Sequence, residues 1–417
     1  VRAPPGTTRC CAKLVRVSSR RSQTIVLLAL VVSFGATACS SGTSTTTPST
    51  APTTAATATT GGTTTSEVRH TPTTTANIGH VFVINLENED YATTWGPSSP
   101  ATYLNGTLRA KGQLLTQYFA VGHASLPNYI AQISGQAPNP DTQGDCVTDR
   151  EFATTGTGAY GQALGKGCVY PTPVKTIADQ LDAVGKTWTA YQEDMGNSPT
   201  DAKTCRHPRI GTVDKTFLAP KGDLYVTRHD PFVYFHSIID TPRCAKDVVG
   251  LDGLTRDLQS EATTPNLSYI TPNVCNDGHD APCSNGKPGG LTSADAWLGQ
   301  WVPKILASPA FRADGLLVIT LDEAQLGSAP AEVSACCHTP PSPNVTSPGL
   351  SGPGGGNVGA LILSRFTKPG TTNSTPYNHY SLLCSMENIW GLSHLGFAGA
   401  PGLNCFGSDV YDRPRGR

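Results

Sequence analysis

The sequence predicts an α/β fold: a mostly parallel central sheet with helices on both faces. Three observations carry the prediction. Short, continuous apolar runs suited to buried strands occur at residues 80–86, 315–321 and 358–364. Segments with helical spacing lie between them. Polar residues cluster just past the ends of the runs, where sheets of this kind bind ligands.

The elements follow in order. His80–Leu86 is a buried strand. Leu114–Val121 is a β-like run that enters the turn Gly122-His-Ala-Ser-Leu-Pro-Asn128, and Tyr129–Ser134 leads on as a helix. Val174–Val184 has helical spacing and stops at Gly185, a suitable C-cap. Thr187–Tyr191 reads as a strand, and Leu267–Val274 as another apolar segment. Ser293–Phe311 is a helix with Ser293 as N-cap and a bend at Pro303. Gly315–Leu321 and Val358–Ser364 are strands, and Tyr380–Gly391 is a late amphipathic helix. Long loops rich in Gly, Pro and Cys, at 135–170, 196–225 and 325–357, are expected to wrap the site.

The N-terminal part reads differently. Residues 1–38 have a basic start, a short apolar stretch (Thr24–Phe34) and small residues before Cys39, the pattern of a signal peptide. Cys39 is placed like the lipid-modified cysteine of bacterial lipoproteins; plain secretion with cleavage near Ala38 is the alternative. Residues 39–77 are almost only Ser, Thr, Ala, Pro and Gly, a composition that cannot offset its ordering entropy, so they read as a disordered tether. Residues 78–417 form the domain, which is expected to be extracellular, secreted or held to the cell envelope, and monomeric. Any membrane association would run through the lipid anchor alone. Without the six basic residues of the leader, 24 basic stand against 31 acidic residues, a net of −7, which argues against nucleic acid as a partner. Ten of the thirteen cysteines lie in the domain, suggesting up to five disulfides. The neighbours Cys336 and Cys337 are expected to bond elsewhere, because a ring between adjacent cysteines is strained.

The candidate chemistry sits past the strand ends. Ser125 lies at a strand-to-helix turn, where a hydroxyl is held in the open and backbone N–H groups face an anion. Glu87-Asn88 follows the first strand and Asp322-Glu323 follows 315–321. With Ser125 they offer five oxygen donors, a hard set suited to Mg²⁺, Mn²⁺ or Ca²⁺. A divalent cation would neutralise a phosphate ester and activate a hydroxyl. His229 and His279 can bind phosphoryl oxygens or protonate a leaving alcohol.

These residues stand in an ordered set: Glu87-Asn88, Ser125-Leu-Pro-Asn128-Tyr129 with Gly135, His229-Asp-Pro-Phe232, Thr271-Pro-Asn273 with Asn276-Asp277 and His279-Asp280, Asp322-Glu323, and Asn378-His379. The set resembles the bacterial phosphoesterase family of acid phosphatases and phospholipases C, in the alkaline-phosphatase-like superfamily. It is most similar to short, secreted, cysteine-rich actinobacterial acid phosphatases, including phosphatidylinositol-3-phosphatase-like members. The resemblance implies an alkaline-phosphatase-like three-layer sandwich and a phosphoserine formed on Ser125. One divalent metal would be held by Glu87, Asn88, Ser125, Asp322 and Glu323. His229, His279, Asp277 and Asp280 would serve the chemistry, and Asn128, His123 and His379 would contact substrate. Two-metal phosphatases of the superfamily use Asp-His pairs where this chain has Asn88 and Glu323. The implied substrate is a phosphorylated small molecule or phospholipid. Two other readings stand beside the phosphomonoesterase: a phospholipase C-like phosphodiesterase, and a tethered surface protein without enzymatic activity.

Overall fold

The structure is a computed structural model that describes residues 76–326 and 332–411. The leader, the tether up to Thr75, and Cys39 lie outside the described residues. The central sheet has eight strands: β1 (His80–Leu86), β2 (Gln113–Leu115), β3 (Trp188–Gln192), β4 (Val248–Gly250), β5 (Leu267–Thr271), β6 (Gly315–Leu321), β7 (Ala360–Ser364) and β8 (Thr371–Asn373). Their order across the sheet is β8-β2-β7-β6-β1-β5-β3-β4. Every neighbouring pair is parallel except the two made by β7, which runs against both β6 and β2. The expected α/β architecture with a mostly parallel sheet is therefore present.

Strand β1 occupies the centre because nearly all of it is apolar and buried from both sides. Its alternation separates the two faces. Phe82 packs on Phe311 from the short helix Pro309–Asp314. On the other face Asn85 accepts a hydrogen bond from Gln132 of helix α1 (Ser125–Ser134) at 2.9 Å. Helices thus cover the sheet from both sides in three layers.

Several expectations shift when the chain is folded. The β-like run 114–121 splits into β2 and a two-residue strand at Tyr118–Phe119, which pairs with Tyr377–Asn378 outside the main sheet. Helix α2 (Ile177–Ala183) is shorter than its spacing suggested, and Thr176 and Asp179 form a capping box at its start. Ser293 is not an N-cap: helix α3 (Gly290–Ala307) begins three residues earlier behind Gly289, and Pro303 lies inside it. Helix α4 (His379–Trp390) opens on Asn378, whose side chain caps Ser381 N–H, and closes on Gly391 in the left-handed conformation.

The cysteines correct one expectation outright. Four disulfides staple Cys146–Cys168, Cys205–Cys244, Cys275–Cys283 and Cys384–Cys405. These consume eight of the ten, and Cys336 bonds to its neighbour Cys337. The chain turns sharply there: Cys337 and His338 both have positive φ.

Candidate active site

The parallel strands β1, β3, β5 and β6 bring their carboxyl ends to one edge of the sheet. Leu86 of β1 is in register with Leu321 of β6. The next residues, Glu87 and Asp322, are therefore neighbours. Backbone hydrogen bonds lock this arrangement: Asp322 N–H donates to the Leu86 carbonyl at 2.9 Å, and Glu87 N–H to the Asp277 carbonyl at 2.9 Å. Asn88, at φ +56°, donates its N–H to Asp322 Oδ1 at 3.1 Å. Three acids from three strand ends meet in this way, with Glu323 beside them.

All four are buried: Glu87, Asp277 and Asp322 are fully inaccessible and Glu323 is nearly so. Burial first, then repulsion from Asp322 and Asp277, pushes the Glu87 carboxyl well above the usual range. Burial likewise raises Asp277 and Glu323, and it holds Asp322 up to about 7. Mutually repelling buried acids are the setting that a cation relieves.

Ser125 is buried at the start of α1, and its Oγ donates to Glu87 Oε2 at 3.0 Å. Tyr129 stands one helical turn further on and donates its hydroxyl to Glu87 Oε1. The residue before Ser125, Ala124, sits at φ 72°, ψ 142°, a strained conformation for a side chain with a Cβ. Asn128 holds it there. Its Oδ1 accepts from the Val121 and Gly122 N–H groups at 3.0 and 3.1 Å. Its Nδ2 donates to the Gly122 and Ala124 carbonyls at 2.8 and 3.0 Å. Asn128, expected at the substrate, is spent on shaping the turn. The helix start also differs from expectation, since Leu126 N–H donates to Asp145 Oδ1 at 2.9 Å instead of facing an open anion site.

His229 is buried and stacks on Tyr129 with ring centroids 5.4 Å apart. Burial, Arg228 and His279 together push its pKa well below the usual value. Its Nδ1 lies 3.1 Å from Asp277 Oδ2 and its Nε2 lies 3.5 Å from Glu87 Oε2. Nε2 has no hydrogen-bond partner among the described residues, and neither does Asp322 Oδ2. Glu87, His229 and Asp277 place ligand atoms within 4.8 Å of one another. The donor set fits a cation, and it brings in His229 and Asp277, which the sequence had suggested only for the chemistry.

The remaining candidates separate. His279 is half-exposed, with Nδ1 2.8 Å from Asp280 Oδ1, and its backbone N–H donates to Asp277 Oδ1 at 2.8 Å. These residues join the cluster from its open side. His123 touches the cluster through the Glu323 carboxylate, and His379 reaches only the Asp322 backbone. His123 pairs through Nδ1 with Glu323 and through Nε2 with the Glu332 carbonyl at 2.9 Å. His379 Nε2 donates to the Asp322 carbonyl at 2.6 Å, while its Nδ1 faces Tyr118 OH at 3.1 Å. Burial lowers His379 to about 4. His123 thus pairs with one acid of the cluster, and His379 braces the backbone of another. Tyr129, Asp145 and Arg228 had no assigned role in the sequence reading. The four-residue spacing from Ser125 was a usable signal for Tyr129; Asp145 and Arg228 offered none.

Comparison with known proteins gives the family. A phosphate-repressible acid phosphatase from Penicillium chrysogenum is 29% identical over 311 residues, covering 75% of this chain and 58% of that protein. A phosphatidylinositol-3-phosphatase from Mycobacterium tuberculosis is 25% identical over 319 residues, 76% of this chain and 79% of that one. The chain spans 55–59% of the length of the fungal acid phosphatases that it matches. Among solved structures, a protein of the alkaline phosphatase superfamily from Vibrio parahaemolyticus aligns with a TM-score of 0.43 at 13% identity, over 77% of this chain and 68% of that one. The model of the phosphoesterase family matches residues 98–393. The chain belongs to the phosphoesterase family.

Proposed function

We propose that the chain hydrolyses phosphate monoesters with Ser125 as nucleophile. The observation that carries this reading is the Ser125 hydroxyl, 3.0 Å from Glu87 inside a buried, cation-seeking cluster of acids. The acid phosphatases among the relatives support the substrate class. Ser125 Oγ forms the new bond to phosphorus as the ester P–O bond breaks, and its proton has an acceptor in Glu87. The leaving alcohol takes a proton at the open side, where His279 and Asp280 stand. Water then breaks the Ser125 O–P bond, restoring the hydroxyl and releasing inorganic phosphate.

One divalent ion, Mg²⁺, Ca²⁺ or Mn²⁺, would be held by Glu87 with His229 and Asp277, and by the oxygen donors Asp322, Glu323, Asn88 and Ser125 around them. When bound it would neutralise phosphoryl charge and favour the ionised hydroxyl. The mycobacterial relative makes phosphatidylinositol 3-phosphate the lipid substrate to try first. On the sequence evidence the enzyme works outside the cell, secreted or tethered through Cys39.

The test is release of p-nitrophenol from p-nitrophenyl phosphate by the wild type and Ser125→Ala, with and without a chelator. Ser125→Ala is expected to lose about a thousandfold or more in kcat/KM, and chelation to abolish turnover until the ion is returned. Near wild-type rates in Ser125→Ala would remove the nucleophile assignment. Faster cleavage of bis-p-nitrophenyl phosphate would move the site to the phosphodiesterase class.

A further inference from the structure

Arg228 is buried, 4% exposed, in the short helical turn that also carries His229. Its Nη1 donates to the Phe217 carbonyl at 3.0 Å, its guanidinium lies 5.1 Å from the centre of the Phe217 ring, and its Nη2 stands 3.3 Å from His279 Nε2. Asp145 and Asp277 feel its charge, yet among the described residues no carboxylate forms an ion pair with it. This is unusual chemistry. A guanidinium taken out of water is normally compensated by an anion, because desolvation is otherwise uncompensated. Here the site is crowded with acids, and they are taken up by the Ser125 and Tyr129 hydroxyls, by His123 and His229, and by backbone N–H groups. The helix start cannot hold an incoming anion through Leu126, whose N–H is spent on Asp145.

We propose that Arg228 grips the non-bridging oxygens of the substrate's phosphoryl group and thereby favours monoesters over diesters. The inference deepens the phosphatase reading and rests on it for the identity of the reacting group. A guanidinium presents donors in a planar fork that suits two oxygens of one phosphate. A monoester offers three non-bridging oxygens and two negative charges; a diester offers two and one. The monoester therefore has more to lose when the fork is removed. Arg228 reaches the site beside His279, on the side where the cluster is accessible. The alternative is a purely structural clip between this turn and the Phe217 loop.

The experiment compares wild type with Arg228→Lys, Arg228→Gln and Arg228→Ala in the full chain. Kinetics are measured with p-nitrophenyl phosphate and bis-p-nitrophenyl phosphate, and the affinity for inorganic phosphate by calorimetry. Arg228→Gln is expected to lose about 10- to 100-fold in kcat/KM for the monoester, with a parallel fall in phosphate affinity. The diester rate should change by less than about threefold. Free guanidinium should restore part of the monoester activity of Arg228→Ala. Arg228→Lys keeps the charge without the fork and should fall between wild type and Arg228→Gln; it decides the matter if the smaller side chains do not fold.

Unchanged phosphate affinity in Arg228→Gln overturns the proposal, as do equal losses on both esters or a lowered melting temperature without guanidinium rescue. The two readings also fail separately. A wild type that binds phosphate through Arg228 but hydrolyses no ester refutes the nucleophile and leaves the anion site standing. Full phosphatase activity in Arg228→Gln refutes the anion site alone.

Discussion

At the scale of single residues, Asn128 is the clearest case of a side chain whose role follows from its partners. It lies in the turn that presents the serine, so contact with substrate was a reasonable expectation. Instead its amide makes four hydrogen bonds to the backbone at 121, 122 and 124. Those bonds keep Ala124 in a conformation that costs about 1–3 kcal/mol. Asn128→Ala would leave buried backbone groups unsatisfied and release the strain. The expected result is a loss of about 2–4 kcal/mol of stability in urea unfolding. Activity should fall mainly in kcat, because Ser125 is no longer aimed. A rise in KM alone at unchanged stability would return Asn128 to the substrate. Tyr129 shares Glu87 with Ser125: its hydroxyl bonds the other carboxylate oxygen while its ring supports His229.

At the scale of elements, helix α1 is the unit that carries Ser125, the proposed nucleophile, and both of its ends are fixed. Asp145, from the loop after the helix, ties down Leu126 at its start. Gly135 ends it at φ +67°, and the Gly135 carbonyl accepts from Phe397 N–H at 2.8 Å and Gln162 Nε2 at 2.7 Å. A Cβ at this position would stand 2.2 Å from the Leu395 carbonyl oxygen, and the positive φ disfavours any L side chain. Gly135→Ala is therefore expected to cost about 2 kcal/mol or more, read as a lower thermal midpoint. A wild-type midpoint would show that α1 is not anchored by this turn. Each of the three long loops makes a contact in or beside the site, as the sequence led one to expect. Asp145 belongs to the first. Phe217, whose carbonyl holds Arg228, belongs to the second. Glu332 and Pro348, whose carbonyls accept from His123, belong to the third.

At the scale of the whole molecule, the first two loops are joined by a backbone bridge flanked by two buried acids. Thr148 and Val213 form an antiparallel bridge, with Asp149 and Asp214 as the next residues. Asp149 is buried, and burial followed by repulsion from Asp214 and Glu151 raises its carboxyl to about 7. Unfolded, the same group titrates near about 3.9. Between those values the folded chain binds more protons than the unfolded one, so stability falls as pH rises through the window. Asp149→Asn removes this titration. Its urea midpoint should decline less than that of the wild type between pH 4.5 and pH 7.5, and identical slopes would contradict the assignment.

The sequence by itself determined the positions of the main strands, the acids past their ends and the serine at a strand-to-helix turn. Those features are local: apolar runs, turn residues and the polar residue after a strand are all readable along the chain. They were sufficient to bring Glu87, Ser125, Asp277 and Asp322 to one edge. The order of the sheet, the reversed direction of β7 and the bond between Cys336 and Cys337 were decided only in three dimensions, by which surfaces and cysteines were left to pair. The histidines show the physical reason most directly. A ring can turn either nitrogen toward any of several partners, and the winning partner is distant in sequence. His123 meets Glu323 two hundred residues away, and His379 meets the Asp322 backbone. His229 stacks on Tyr129 beside the acids, and its Nε2 has no hydrogen-bond partner among the described residues. Arg228 is the same lesson for charge, since only the folded surroundings reveal that no acid among the described residues pairs with it.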